Sequence, residues 1–195
     1  MNWNRRRVLQ AGSALAGVSA AALLSRTALG TQIGGAHRAV PGKVAAGNGK
    51  IALLNLHTDE RLEIEYSRDG AYVPEALSKI EMLLRDFRTG ERHVIDPRLM
   101  DYLVEVAHTV GADPHFSVIS GYRSPHTNAA LHEKSAGVAQ HSLHMEGRAI
   151  DVRMTGIDCA KFAAQAEVLR RGGVGYYRAS DFVHLDTGAF RIWKG

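Results

Sequence analysis

The chain has 195 residues, of which 24 are basic, 20 acidic and one a cysteine, for a formal net charge of +4 and a sequence pI near 9.4. The excess is local: Arg5, Arg6, Arg7 and Arg26 fall in the first 30 residues, which hold no acid, so the remainder balances 20 basic against 20 acidic side chains and carries no electrostatic footprint for a nucleic-acid partner. A lone Cys159 excludes an intramolecular disulfide, and about 150 ordered residues can bury one core without such a staple.

At the N-terminus, Asn4-Arg5-Arg6-Arg7 precedes an uncharged run from Ala11 to Leu24 and then Ala28-Leu29-Gly30. This is the pattern of a twin-arginine signal peptide over residues 1–30, with cleavage after Gly30. The run falls short of the roughly 18 apolar residues of a spanning helix, so export to the periplasm ranks ahead of a retained anchor. Residues 31–49, rich in Gly and Ala and without period, read as a flexible spacer. A single domain is expected over residues 50–195.

Within that domain, Ile51 to His57 is a compact apolar run, and Arg61 to Tyr66 alternates with Leu62, Ile64 and Tyr66 on one face; Thr58-Asp59-Glu60 between them predicts a hairpin. Pro74 opens a helix with Leu77, Ile80, Leu84 and Phe87 at helical spacing before Gly90. Asp96-Pro97 starts a second, carrying Leu99, Leu103, Val106 and Val110 inward and stopping at Gly111. Phe116 to Ser124 reads as a strand running into a turn, Pro125 to about Lys134 as a short helix, and Ser135 to Ser142 as a polar loop. Asp158 is the expected N-cap of a last helix through Arg171, closed by Gly172-Gly173, and strands at Val174–Tyr177 and Phe182–Asp186 with a short Phe190–Trp193 tail finish the chain. Helices interspersed with antiparallel strands predict a small α+β domain.

The chemistry concentrates in Ser142-x-His144-x-x-Gly147-x-Ala149-x-Asp151 and, downstream, Asp181-Phe-Val-His184-Leu-Asp186. Ile150, Val152 and Met154 recur at period two, so Asp151 points away from the core, and Gly147 permits a sharp turn that carries His144 back toward it. Val183 and Leu185 likewise share one strand face and leave His184 and Asp186 on the other. If the two strands are neighbours, His144, Asp151 and His184 converge. Two imidazoles and a carboxylate are ligands that Zn2+ favours, and three protein ligands leave a fourth tetrahedral position for water, the mark of a catalytic rather than a structural site.

Together with Leu53-Leu-Asn-Leu-His57-Thr58, Ile119-Ser-Gly-Tyr-Arg123-Ser124, Gly172-Gly-Val-Gly-Tyr-Tyr177 and the twin-arginine leader, these motifs resemble the MepK group of murein endopeptidases, relatives of the VanX-type D-alanyl-D-alanine zinc peptidases. The similarity runs in order through residues 51–193. It implies a Hedgehog/DD-peptidase-like fold, with a small antiparallel sheet carrying one zinc ion and flanking helices. It also implies hydrolysis of peptide crosslinks in peptidoglycan, including those between two diaminopimelate residues. Carried over by position, His144, Asp151 and His184 are the zinc ligands, and Arg123 binds or polarises the substrate near the reacting carbonyl, the alternative for Arg123 being a structural contact in its turn.

The proton carrier is less clearly marked. VanX-like enzymes have a Glu three residues before the last ligand, where this chain has Asp181, so Asp181 is the preferred base, with Glu146 and His141 as alternatives. Strand parity argues mildly against Asp181. Asp186 is expected to orient His184, and Ser142 to be either a donor beside the ligands or a turn residue. Among rival readings, a non-haem iron oxygenase would need a further His after Asp186, and none exists. A non-catalytic zinc module that binds wall peptide or a protein partner stays open through the Glu-to-Asp difference at position 181. A Ser or Cys hydrolase lacks a Gly-x-Ser-x-Gly elbow, and Cys159 sits in an expected helix. The expected partners are crosslink peptides and, for regulation, a protein.

Overall fold

The computed structural model describes residues 48–135 and 137–195. The leader and most of the spacer lie outside the described residues. Eight strands form one sheet in the order β3-β2-β1-β4-β5-β7-β6-β8. They are β1 (Gly49–Asn55), β2 (Arg61–Arg68), β3 (Ala71–Tyr72), β4 (His115–Ser120), β5 (Ala149–Met154), β6 (Gly173–Tyr177), β7 (Phe182–Asp186) and β8 (Arg191–Lys194). Four α-helices accompany them: α1 (Pro74–Leu83), α2 (Arg98–Val110), α3 (Pro125–Lys134) and α4 (Cys159–Leu169). A 3-10 turn, Leu143–Glu146, leads into β5.

The sheet is mixed, which corrects the expectation of an antiparallel one. β1 runs parallel to β4 and β6 parallel to β8, while the pairs that carry the motif residues, β4 with β5 and β5 with β7, are antiparallel. The β1–β2 hairpin turns at residues 56–60, where Asp59 adopts a left-handed conformation. Ile150, Val152, Val183, Leu185 and Val174 are buried in one core with Leu99, Leu103 and Val106 of α2 and Phe162, Ala163 and Ala166 of α4. These helices cover one face of the central strands, and alternation leaves the opposite face of β5 and β7 for Asp151, His184 and Asp186.

Two helix ends differ from the expectation. α1 stops at Leu83, with Leu84 as its C-cap, and Phe87 falls in the turn that follows. There the Asp86 carboxylate accepts from the Arg88 backbone N–H at 3.0 Å, a local side-chain bond that competes with the helical ladder. α4 ends at Leu169 with Arg170 in the left-handed region, and Gly173 already belongs to β6. The Gly172-Gly173 pair serves close packing instead: a Cβ at Gly172 would lie 1.7 Å from the Asp186 carbonyl oxygen, and one at Gly173 2.4 Å from the Asp186 carboxylate. The caps at Asp158 and Gly111 stand where the sequence puts them, and Ser124 adds an N-cap to α3.

Asp86 also joins two segments distant in sequence. Its Oδ2 accepts from the backbone N–H and the hydroxyl of Ser124, at 2.9 and 2.8 Å, and so ties the end of α1 to the turn after β4. Burial works against the charge, but hydrogen bonds from Thr127, Ser124 and the Arg88 N–H bring the carboxyl down to about 2. Its stabilising contribution is therefore complete above the ordinary value of 3.8 and is lost as pH falls through about 2. Asp86→Ala leaves these donors without their acceptor and is expected to cost about 2–4 kcal/mol, read by urea unfolding at neutral pH. A change below 0.5 kcal/mol would contradict the role assigned to Asp86.

Candidate metal centre and cleft

The three expected ligands meet at one point. β5 and β7 pair with Asp151 opposite His184, which sets both side chains on the same face at the same level. His144 arrives from the 3-10 turn, closed by Gly147 at φ +65°. No Cβ fits at Gly147, because it would lie 2.0 Å from the Val94 carbonyl oxygen. His144 Nε2 lies 3.2 Å from Asp151 Oδ1 and 3.2 Å from His184 Nδ1, and the last two atoms are 2.8 Å apart. Ligands held at about 2.0–2.1 Å around a tetrahedral ion lie roughly 3.3 Å from one another, so these separations suit a small divalent cation. The three residues are the candidate metal-binding group among the described residues, and all are buried.

The outward atoms fix which nitrogens face the centre. His144 Nδ1–H donates to the Gly121 carbonyl at 2.7 Å, which leaves Nε2 with a free lone pair. His184 Nε2–H donates to Asp186 Oδ2 at 3.1 Å, which turns Nδ1 inward. Arg123 Nη2 donates to Asp151 Oδ2 at 2.6 Å and leaves Oδ1 as a single inward oxygen. Three lone-pair atoms thus converge with no donor among them in the neutral imidazole forms, an arrangement that a cation completes.

Electrostatics favour the ligating form at His144 and Asp151 and, without a cation, oppose it at His184. Burial lowers the His144 pKa, so its neutral, ligating form is favoured. Burial also opposes the charge on Asp151, but His144 and His184 outweigh it and hold the carboxyl well below its usual range. For His184, burial is outweighed by hydrogen bonds to Asp151 and Asp186, and its pKa is raised. Asp186 is fully buried and accepts from Gly173 N–H, Gly188 N–H, both terminal nitrogens of Arg191 and His184. Those donors overcome its burial and lower its pKa, so it stays ionised while it orients the imidazole.

The cluster opens into a cleft of about 360 Å³ lined by the ligands with Arg123, His141, Tyr177, Phe182, Arg191 and Trp193, among others. Gly175, opposite His184 on β6, lets the Trp193 indole lie against the strand, 5.1 Å between ring centroids from His184; a Cβ there would meet the indole at 2.4 Å. Arg123 donates through Nε to Ser120 at 2.9 Å as well as to Asp151, so one guanidinium both braces a ligand and faces the cleft.

The candidate bases separate by position. Asp181 occupies the β6–β7 turn at φ +48°, with its carboxylate 66% exposed and 3.7 Å from Arg153, and it does not line the cleft. The strand starts after it, and the turn directs its carbonyl to Arg153 and the Cys159 thiol. Glu146 pairs with Arg148 at 3.0 Å and is likewise outside the lining, whereas His141 is part of it. Ser142 caps the 3-10 turn, its hydroxyl accepting from the His144 N–H at 3.4 Å. Cys159 is buried at the start of α4 and its thiol is pushed up to about 12 by burial and its contact with Asp181, which removes it as a nucleophile. Sequence reasoning passed over Arg191 and Trp193, whose approach depends on β8 pairing with β6, and Asp86, which carries no local motif.

Comparison with known proteins places this geometry. A family model described as Peptidoglycan L,D-endopeptidase MepK matches residues 43–193. A protein of Haemophilus influenzae named probable peptidoglycan L,D-endopeptidase MepK is 44% identical over 146 residues, covering 74% of this chain and 78% of the relative. Proteins named peptidoglycan L,D-endopeptidase MepK from Escherichia coli K12 and Shigella flexneri are each 41% identical over 143 residues, covering 73% of this chain and 79% of theirs. No solved structure gives a significant match. With the matched segment spanning every residue of the metal centre and its cleft, the chain belongs to the peptidoglycan L,D-endopeptidase MepK family.

Proposed function

We propose that this protein is a zinc-dependent peptidoglycan L,D-endopeptidase of the Hedgehog/DD-peptidase type, which hydrolyses peptide crosslinks in the cell wall. The observation that carries the reading is the buried His144–Asp151–His184 cluster at the floor of an open cleft, in a chain of this family. Two nitrogens and one carboxylate oxygen favour zinc over the oxygen-seeking Mg2+ and Ca2+. When bound, the ion supplies Lewis acidity toward a carbonyl and acidifies water to a nucleophile at neutral pH.

The chain's own groups complete the reaction. Arg123 stands in the cleft wall with a fixed guanidinium, so it stabilises negative charge as it grows on the oxygen of the attacked amide. The same guanidinium holds Asp151 Oδ2 and so keeps Oδ1 turned toward the two imidazoles. His141, the one candidate base in the cleft lining, accepts the proton of the attacking water and returns it to the leaving amine. Asp186, with Arg191 behind it, keeps His184 Nδ1 turned inward through the cycle.

Crosslinks are part of the cell envelope, and the paired arginines before an apolar run support export by the twin-arginine route to the periplasm, with residues 31–49 as a spacer. No helix among the described residues is long and apolar enough to cross a membrane. Metal-loaded protein and defined muropeptide dimers test the function. Dimers joined between two diaminopimelate residues are expected to yield monomers, read by mass spectrometry, faster than dimers joined through D-alanine. The reverse preference would refute the L,D assignment.

A further inference from the structure

We propose that Arg88, stacked on Phe87 beside Arg123, forms a subsite that binds a free carboxylate of the crosslinked wall peptide; this rests on the peptidoglycan reading above. Three turns assemble the platform. Asn55 Nδ2 donates to the Leu83 carbonyl at 3.0 Å and Tyr122 N–H to the Leu84 carbonyl at 2.8 Å, so the turns after β1 and β4 both dock on the end of α1. Asp86 then locks Arg88 to the Arg123 turn, accepting from the Arg88 backbone N–H through one oxygen and from Ser124 through the other. Gly121 is needed at this junction, because a Cβ there would lie 2.5 Å from the Leu84 carbonyl oxygen.

On this base, His57 stacks on Phe87 with 3.8 Å between ring centroids and 13° between planes, and the Arg88 guanidinium lies 4.1 Å from the centroid of the Phe87 ring. The cation is thus held by aromatic packing rather than by an acid. Among the described residues no carboxylate pairs with it. The two guanidiniums that line the cleft are both engaged, Arg123 with Asp151 and Arg191 with Asp186, whereas Arg88 lies outside that lining, next to the Arg123 turn through Asp86. Burial weakens the hold of Arg88 on its proton, the nearby Asp86 carboxylate offsets part of this, and the like charge of Arg123 adds to it, so an arriving anion relieves a repulsion as well as forming a bond. The wall peptide supplies such anions, because crosslinking leaves side-chain and main-chain carboxylates free. A planar guanidinium fixed over a ring suits a two-point contact with one of them.

The test is steady-state cleavage, by full-length metal-loaded protein, of two diaminopimelate-crosslinked dimers that differ only in whether the free carboxylates are amidated. Wild type, Arg88→Gln and Arg88→Lys are compared. Arg88→Gln is expected to raise KM for the carboxylate dimer about tenfold, with the loss in KM rather than kcat, and at least five times more than for the amidated dimer. Arg88→Lys is expected to fall between, since it keeps the charge and loses the planar fork. Equal changes on both dimers, or none, overturn the subsite while wild-type turnover preserves the peptidase reading. Cleavage of neither dimer by wild type overturns both.

Discussion

Alanine at position 144 is expected to remove metal retention and turnover together while the chain stays folded. In the proposed centre His144 is one of three protein ligands, and the remaining pair, Asp151 and His184, are joined across one strand pair without a third anchor. Outer partners of metal ligands typically contribute 10–100-fold in affinity, so loss of a ligand itself is expected to exceed about 100-fold. Turnover at saturating substrate is expected to fall by at least about 10³-fold, since both polarisation of the carbonyl and acidification of water go with the ion. The folding cost is small by comparison, on the order of 1–3 kcal/mol, for the lost bond from Nδ1 to the Gly121 carbonyl. Metal content after dialysis, turnover and thermal unfolding of the same preparations check this. If removing metal from the wild type unfolds it, the ion is structural, as in a non-catalytic binding module.

Arg123→Ala gives the second large effect, and it has two parts. Asp151 Oδ2 loses its partner at 2.6 Å, which weakens metal binding by about 10–100-fold. The growing oxyanion loses a fixed donor, which lowers kcat by about 10²–10³-fold. Titrating in zinc separates them: the first part is overcome at saturating metal and the second is not. Arg123→Lys is expected to recover little, because a single ammonium cannot reach Ser120 and Asp151 at once as the guanidinium fork does. Full recovery of kcat at saturating zinc would reduce Arg123 to a positioning residue for Asp151.

The centre was legible in the sequence because its placement depends on short-range rules. Period-two alternation in residues 149–154 and 182–186 put Asp151 and His184 on the face away from Val152 and Leu185, and Gly147 marked the turn that returns His144. The turn before β7 was not legible to the same depth. Asp181 stands three residues from His184 as a Glu does in VanX-like enzymes, yet the hairpin ends one residue later and sends its carboxylate toward Arg153. Long-range pairings escaped for a plainer reason. That β1 and β4 are parallel depends on the crossover through α1 and α2, and Arg191 reaches Asp186 only because β8 runs beside β6. Asp86 illustrates the same limit: an aspartate in a turn is common, whereas one that pins Ser124 from 38 residues away has no local signature.

The most direct test is mass spectrometry of muropeptides from purified, crosslinked sacculi incubated with the protein as prepared, after chelation, and after chelation followed by stoichiometric zinc. Crosslinked dimers are expected to give way to monomers in the first sample, persist in the second and be cleaved again in the third, with no cleavage by His144→Ala in any. Undiminished cleavage after complete removal of metal, or by the His144→Ala variant, would overturn a metal-dependent peptidase centred on His144.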